Sequence, residues 1–310
     1  MTVGTTEITR VVEWLGPIRS VGELFPSVPA QVWQENAWMA PHFWNPTSGA
    51  YRAAIQTWVV RTAGMTVLVD TGVGNDRDRP QIPQFDHLHT DFPAQLAAAG
   101  VAPEEVDVVI NTHIHYDHVG WNTHLVDHQA DGASGRWAPT FPNATYLVPR
   151  ADYEYFHPDG AARMRRARTE DERRRFEGIR LVFADSIAPL EAAGQLTTWS
   201  QAHNLGEKLH LRPAPGHTPG SSIIWLDDGP GAVFVGDVLH TPVQFLRPED
   251  ACSFDLDPDQ ARVSRREVLA AAARTGAMVL PAHLAGHGAA SITATAAGFA
   301  VRDWADLPAL

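Results

Sequence analysis

The chain has 310 residues, 44% of them apolar and 19% charged, with a formal net charge of −12; this acidity excludes nucleic acid and anionic membrane as expected partners, because both call for clustered Lys and Arg. No stretch reaches the ~20 apolar residues that cross a bilayer. The opening MTVGTTEITRVVEW carries no basic and then apolar leader, which sets a cytoplasmic expectation, and the single Cys252 makes no intrachain disulfide.

In chain order, the first fifty residues read as a loop and strand extension. Trp33, Trp38, Phe43 and Trp44 gather there in VWQENAWMAPHFW, which keeps neither a helix nor a strand period. They either cap the core or wall an apolar substrate pocket. TWVVRTAGMTVLVDTG (57–72) predicts two strands around an Ala-Gly turn, ending in Asp70. FPAQLAAAG (92–100) predicts a helix closed by Gly100. The apolar VDVVI then runs into NTHIHYDHVGWN, where His113, His115, Asp117 and His118 crowd into six positions. DHVGW is expected to begin a helix that turns Asp117 and His118 back toward the first pair.

Trp121 and the segment HQADGASGRWAPTF (128–141), long for a compact domain, make a second candidate wall. His87, His89, His124 and His128 lie near such loops and are expected to be solvated. The basic RMRRARTEDERRRFEGIR (163–180) is interrupted by acidic residues and predicts a helix with a solvated face, a lid over an active site being the alternative. SSIIWLDDGPGAVFVGD (221–237) repeats the plan of the first hairpin and ends in Asp237. A helix is expected over 257–276, and GAMVLPAH closes on His283.

The order of strands, helix and strand thus occurs twice, predicting one domain over 1–310 built from two similar halves, each a sheet backed by helices. If the sheets pack face to face, strand ends carrying His113, Asp237 and His283 meet at one edge. His113 and His115, two apart on extended backbone, point to one face. Four ligands in six residues exceed what one divalent ion takes from so short a segment, so two ions are the natural reading. His217, in the Pro/Gly-punctuated PAPGHTPGSS, is a presented ligand, and Asp237 and His283 complete the set. Imidazole and carboxylate without thiolate suit zinc, and also iron, manganese or cobalt. Two such ions would bring a bridging water toward a neutral pKa and polarise an electrophile, which points to hydrolysis.

THIHYDH, GHTPGS, GDVLH, PAH and VLVDTG together resemble the metallo-β-lactamase superfamily over about residues 51 to 290. The resemblance implies an α/β fold, an αββα sandwich with the metal site at one edge of the two sheets; 121–140 and 155–210 would be insertions. It implies that His113, His115 and His217 hold one metal and that Asp117, His118 and His283 hold the second. Asp237 would bridge them and Asp70 would orient a ligand histidine. The two metals are expected to be zinc.

FPNATYLVPRADYEYF and GDVLHTPVQF look most like the branch of acyl-homoserine lactonases and methyl parathion hydrolase. Lactonases of that branch carry a tyrosine three residues after the bridging aspartate; here that position is His240, which either donates a proton there or packs at the rim. Asp117, Asp237 and His240 are the expected catalytic residues, the carboxylates as ligands and proton shuttles. The expected substrate is a small apolar or weakly polar lactone, with a phosphotriester or aryl ester second. A single-iron oxidoreductase and a metal-binding scaffold remain as alternatives. In lactonase-like relatives the N-terminal loop also supports a homodimer contact.

Overall fold

The computed structural model describes residues 1–126, 135–160 and 168–310. In chain order the first strands are β1 (Thr2–Val3), β2 (Thr6–Ser20), β3 (Ala50–Thr62), β4 (Met65–Val69), β5 (Val108–Ile110), β6 (Thr123–Leu125), β7 (Trp137–Pro139), β8 (Thr145–Pro149) and β9 (Leu196–Trp199). All but β6 and β7 form one seven-stranded sheet in the order β1-β2-β3-β4-β5-β8-β9, while β6 and β7 pair as a separate ribbon. A second seven-stranded sheet follows in sequence order: β10 (His203–Leu205), β11 (Leu209–Pro213), β12 (Ser222–Leu226), β13 (Ala232–Gly236), β14 (Met278–Pro281), β15 (Ala290–Ala294) and β16 (Phe299–Trp304).

Alternation along the strands decides the layers, since successive side chains face opposite sides of a sheet. Trp58, Val60, Val67 and Val69 of the first sheet pack against Ile224, Phe234 and Leu280 of the second in a shared core. Their neighbours Val59 and Leu68 face the other way, onto Phe92 and Leu96 of helix α1 (Phe92–Ala98). Ile223, Val233 and Val279 likewise meet Val268, Leu269 and Ala272 of another helix, Pro258–Thr275. Helix, sheet, sheet, helix is the αββα order.

The two halves share one connection pattern. β3 and β4 form a hairpin through Ala63 and Gly64, both at positive φ, which matches the twist of a two-residue turn; α1 then leads to β5, parallel to β4. The antiparallel pair β12 and β13 likewise leads through the helix Pro258–Thr275 to β14, parallel to β13. Asp70 and Asp237 thus follow equivalent strands, as do His113 and His283.

The N-terminal extension carries β2, which pairs with β3 over most of its 15 residues. Two expectations change. The 155–210 region supplies β9 to the first sheet and β10 to the second, so these strands are integral to the sandwich. DHVGW starts no helix. The Gly120 and Trp121 amides bond to the Gly72 and Thr71 carbonyls at 2.7 Å each, leaving only a short 3-10 turn over Gly120–Asn122. Gly120 is needed there, because a Cβ would lie 1.9 Å from the Val73 carbonyl. No helix among the described residues is long and apolar enough to cross a membrane.

Candidate metal centre

The loops after β4, β5, β11, β13 and β14 bring the predicted residues to one edge of the sandwich. His113, His115, His217 and Asp237 offer ligand atoms that all lie within 4.8 Å of one another, and Asp117, His118 and His283 form a second such group. All are buried except His115, which is partly so.

Acceptors fixed by the fold set the tautomers. His118 Nδ1 lies 2.8 Å from Asp70 Oδ2, His217 Nδ1 lies 3.0 Å from Asp255 Oδ1, and His283 Nδ1 lies 3.0 Å from the Ala54 carbonyl. Carboxylates and carbonyls only accept, so each Nδ1 carries a proton, and in the neutral imidazole that a metal binds each Nε2 presents a lone pair. Asp70 is itself held by the Thr112 amide and hydroxyl, both at 2.8 Å.

These Nε2 atoms converge on Asp237. Its Oδ1 is 3.0 Å from His283 Nε2 and 3.3 Å from His118 Nε2, while Oδ2 is 3.1 Å from His217 Nε2 and 3.7 Å from His113 Nε2. Each carboxylate oxygen faces one ligand group. Oδ1 is buried and accepts no hydrogen bond. His118 Nε2 and His283 Nε2 sit 3.2 Å apart, a separation at which two lone pairs repel and a shared cation binds both. His115 differs, presenting Nδ1 at 3.1 Å from His113 Nε2 and 3.0 Å from His217 Nε2.

The electrostatics agree with this donor set. Burial, joined by neighbouring imidazoles, holds His113 and His115 well below the ordinary histidine value. Burial works the same way on His118 but is outweighed by Asp237, Asp70 and Asp117, which push it well up; Asp237 and Asp255 similarly raise His217 to about 9 against burial. Burial alone would raise Asp237, yet His283, His118, His240 and His217 hold it well below the carboxylate range. The cluster therefore calls for positive charge, which protons or metal ions supply in competition. Imidazole and carboxylate donors fit divalent ions of the zinc type.

The site opens into a cavity of about 1050 Å³. His115, Asp117, His217, Asp237 and His283 line it together with Ile18, Phe25, Ile82, Phe156 and Ile179. The expected aromatic walls lie elsewhere. Trp33, Phe43 and Trp44 are buried in a core cluster, with Trp33 packed at a tilt behind Phe25 at 5.9 Å, so packing places them one layer back from the cavity. Trp38 is 45% exposed beside Trp304. Trp121 packs on Phe92 at 5.4 Å and donates its indole N–H to Glu13 at 2.7 Å. Residues 127–134, and with them His128 and half of the 128–141 segment of the second candidate wall, lie outside the described residues, as do 163–167 of the basic segment. The remainder of that segment enters helix α2 (Glu170–Ser186), one face of which lines the cavity. His87 and His89 are exposed; His124 is partly buried.

His240 lies in the cavity wall, and its backbone is fixed on both sides: its amide donates to Gln244 Oε1 at 2.8 Å and its carbonyl accepts from Tyr51 Oη at 2.7 Å. Its ring Nε2 is 3.2 Å from Asp237 Oδ2, yet neither ring nitrogen makes an aligned hydrogen bond.

Two residues that build the site went unnoticed in the sequence. Asp255, besides orienting His217, accepts from the Cys252 amide at 3.0 Å and from Arg265 at 3.3 Å. It stands two residues before the helix cap Asp257 and reads as another turn aspartate. Asp152 accepts from the Ile114 amide at 2.8 Å, Thr218 Oγ1 at 2.9 Å and the Gly220 amide at 2.6 Å, tying the His113–His118 loop to the His217 loop. Neither carries a local sequence signal.

The family model described as the metallo-beta-lactamase superfamily matches residues 51–283. An N-acyl homoserine lactonase AttM from Rhizobium johnstonii is 34% identical over 131 residues, 40% of this chain and 43% of that protein. One from Agrobacterium fabrum is 41% identical over 66 residues, 21% of this chain and 19% of that protein. The matched stretches thus span less than half of these curated relatives. Among solved structures, the hydrolase AbOPH of the beta lactamase superfamily superposes with a TM-score of 0.78 at 24% identity, covering 100% of this chain and 96% of its own. AidC, a dizinc quorum-quenching lactonase, gives 0.77 at 21% identity, covering 99% and 97%. These two share the fold.

Proposed function

The chain belongs to the metallo-beta-lactamase superfamily, and from that premise we propose that it is a metal-dependent hydrolase of ester-like bonds, with a lactone as its first substrate class. The observation that carries this reading is the convergence of imidazole Nε2 atoms on both oxygens of Asp237 beside a large, partly apolar cavity. His113, His115 and His217 would hold one divalent ion, Asp117, His118 and His283 a second, and Asp237 would face both. Such ions supply a Lewis acid for the carbonyl and a water-derived nucleophile at neutral pH.

The chain's own groups do the rest. Asp70 and Asp255 hold two of the imidazoles in one tautomer. His240, its backbone pinned and its ring nitrogens unbonded, is placed to hand a proton from Nε2 to a leaving oxygen. The apolar walls exclude water from the bond being cleaved. The homologues named as lactonases support the lactone assignment. His240 at the position where lactonases of this branch carry tyrosine favours a second reading, cleavage of aryl esters or phosphotriesters.

The test is proton release by zinc-loaded protein on acyl-homoserine lactones, aryl esters and methyl parathion, with a chelated control. Chelator-sensitive turnover of lactones above the others supports the first reading. Turnover of only the esters or the phosphotriester moves the substrate to the second. No turnover with two ions bound defeats both. A His240→Ala variant that keeps its metal and full turnover removes His240 from the proton transfer.

A further inference from the structure

The cavity beside the metal groups has an unbalanced rim. Along α2, Val182 is buried and Phe176 and Ile179 are half-buried, whereas Arg174 and Arg175, nearer the helix start, are exposed. Arg168, just before the helix, and Arg19, near the end of β2, line the same cavity. Against these four guanidiniums stand two rim carboxylates, Glu23, which also feels the charge of Arg19, and Glu172, so the rim keeps an excess of positive charge. Glu23 accepts from the Ser20 amide at 3.0 Å and the Ser20 hydroxyl at 2.7 Å. Glu172 accepts from the amides of Arg168 and Thr169 at 2.5 and 3.3 Å. The inner carboxylates, Asp117 and Asp237, face imidazoles.

Arg174 meets Glu170 at 3.6 Å. Among the described residues Arg19, Arg168 and Arg175 make no ion pair within 4 Å; Arg19 acts on Glu23 only from farther away and lies over the Phe254 ring at 5.6 Å. In a chain of net charge −12, a cationic cavity mouth runs against the overall charge. Guanidinium offers forked donors suited to carboxylate, phosphate or sulfate, and such a rim raises the local concentration of anions.

We infer that the preferred substrate is an amphipathic anion: its ester-like bond lies at the metal groups, its apolar body runs along Ile179 and Phe176, and its anionic end meets Arg175, Arg168 and Arg19. This rests on the hydrolase reading of the site and narrows its substrate class. Because the arginines are exposed, each ion pair is weak and screened by salt, so the effect is one of discrimination.

The experiment compares two chain-matched aryl esters, one ending in a carboxylate and the other in a primary amide, with zinc-loaded full-length protein. The carboxylate member is expected to have a kcat/KM about tenfold higher at low salt, a preference that shrinks at about 0.5 M salt. In Arg175→Gln and in Arg19→Gln the ratio of the two kcat/KM values drops about threefold or more. Equal rates, or preference for the amide, overturn the inference while leaving the hydrolase reading intact. If neither ester is cleaved, the hydrolase reading is in question, and binding decides the inference. Fluorescence titration then compares 8-anilinonaphthalene-1-sulfonate with uncharged N-phenyl-1-naphthylamine. Tighter binding of the sulfonate, weakened in Arg175→Gln, keeps the anionic site; equal affinities reject it.

Discussion

Asp70 and His118 stand 48 residues apart in the chain, yet Asp70 Oδ2 lies 2.8 Å from His118 Nδ1. The contact leaves His118 Nε2 as the nitrogen turned toward Asp237 and free to bind a metal in the neutral ring. Asp70→Asn keeps the shape and tolerates the positive φ of 58° at this position, but it replaces an obligatory acceptor with an amide. Metal affinity is expected to fall about 10- to 100-fold with little change in the thermal midpoint of the metal-free protein. Chelator-competition titration measures the first quantity, and an unchanged affinity would show that the carboxylate does not set the tautomer.

Removing metal should cost stability as well as activity. Ions bound only by the folded state add about 4 kcal/mol at a thousandfold excess over Kd, and the facing carboxylate and imidazoles of Asp237, His118 and His283 lose their shared counter-ion when stripped. A thermal scan with and without a strong chelator should show a clear drop in Tm. Coincident scans would contradict metal binding at these residues.

Asp152 predicts a pH dependence of stability. Burial raises its carboxyl from the ordinary 3.8 to about 6, against three hydrogen bonds that favour the charged form. A raised carboxyl binds its proton more tightly in the folded chain, so its contribution is fully present below about pH 4 and is lost as pH rises through about 6. That loss amounts to roughly 3 kcal/mol. Asp152→Asn cannot titrate, so its stability relative to the native chain should improve between pH 4 and pH 7. Urea midpoints of both proteins at the two pH values check this, and parallel changes would refute it.

Asp185 neutralises two buried guanidiniums. Arg77 Nη1 lies 2.7 Å from Asp185 Oδ1, while Arg79 grips both oxygens at 2.8 and 3.0 Å. The triad fastens the 77–79 loop, which leads into the cavity wall at Ile82, to the C-terminal end of α2. Asp185→Ala strands both charges and is expected to cost about 3–5 kcal/mol. Chemical denaturation measures the loss, and a cost below 1 kcal/mol would mean that water reaches the pair.

Much of this was open to local reading. Strand period, the Ala63-Gly64 turn, and the aspartates and histidines at the ends of apolar runs are short-range patterns, so the doubled hairpin, helix and strand plan followed from them, as did the inventory of His113, His115, Asp117, His118, His217, Asp237 and His283. DHVGW misled because its amides find the Gly72 and Thr71 carbonyls, partners almost fifty residues away. The arginines of α2 showed as a basic run, but their place at a cavity mouth did not.

The sequence by itself determined which candidate ligand types exist and that they sit beside strand ends, because side-chain alternation and turn chemistry act over a few residues. Only the tertiary structure decided how they are used. The proton on His283 is set by the Ala54 carbonyl and that on His217 by Asp255, and a backbone acceptor leaves no mark in the side-chain pattern. Phe25 reaches the cavity while Trp33 packs behind it, since the layer in which an aromatic ring comes to rest depends on the packing of β2 and β3 against the second half of the chain.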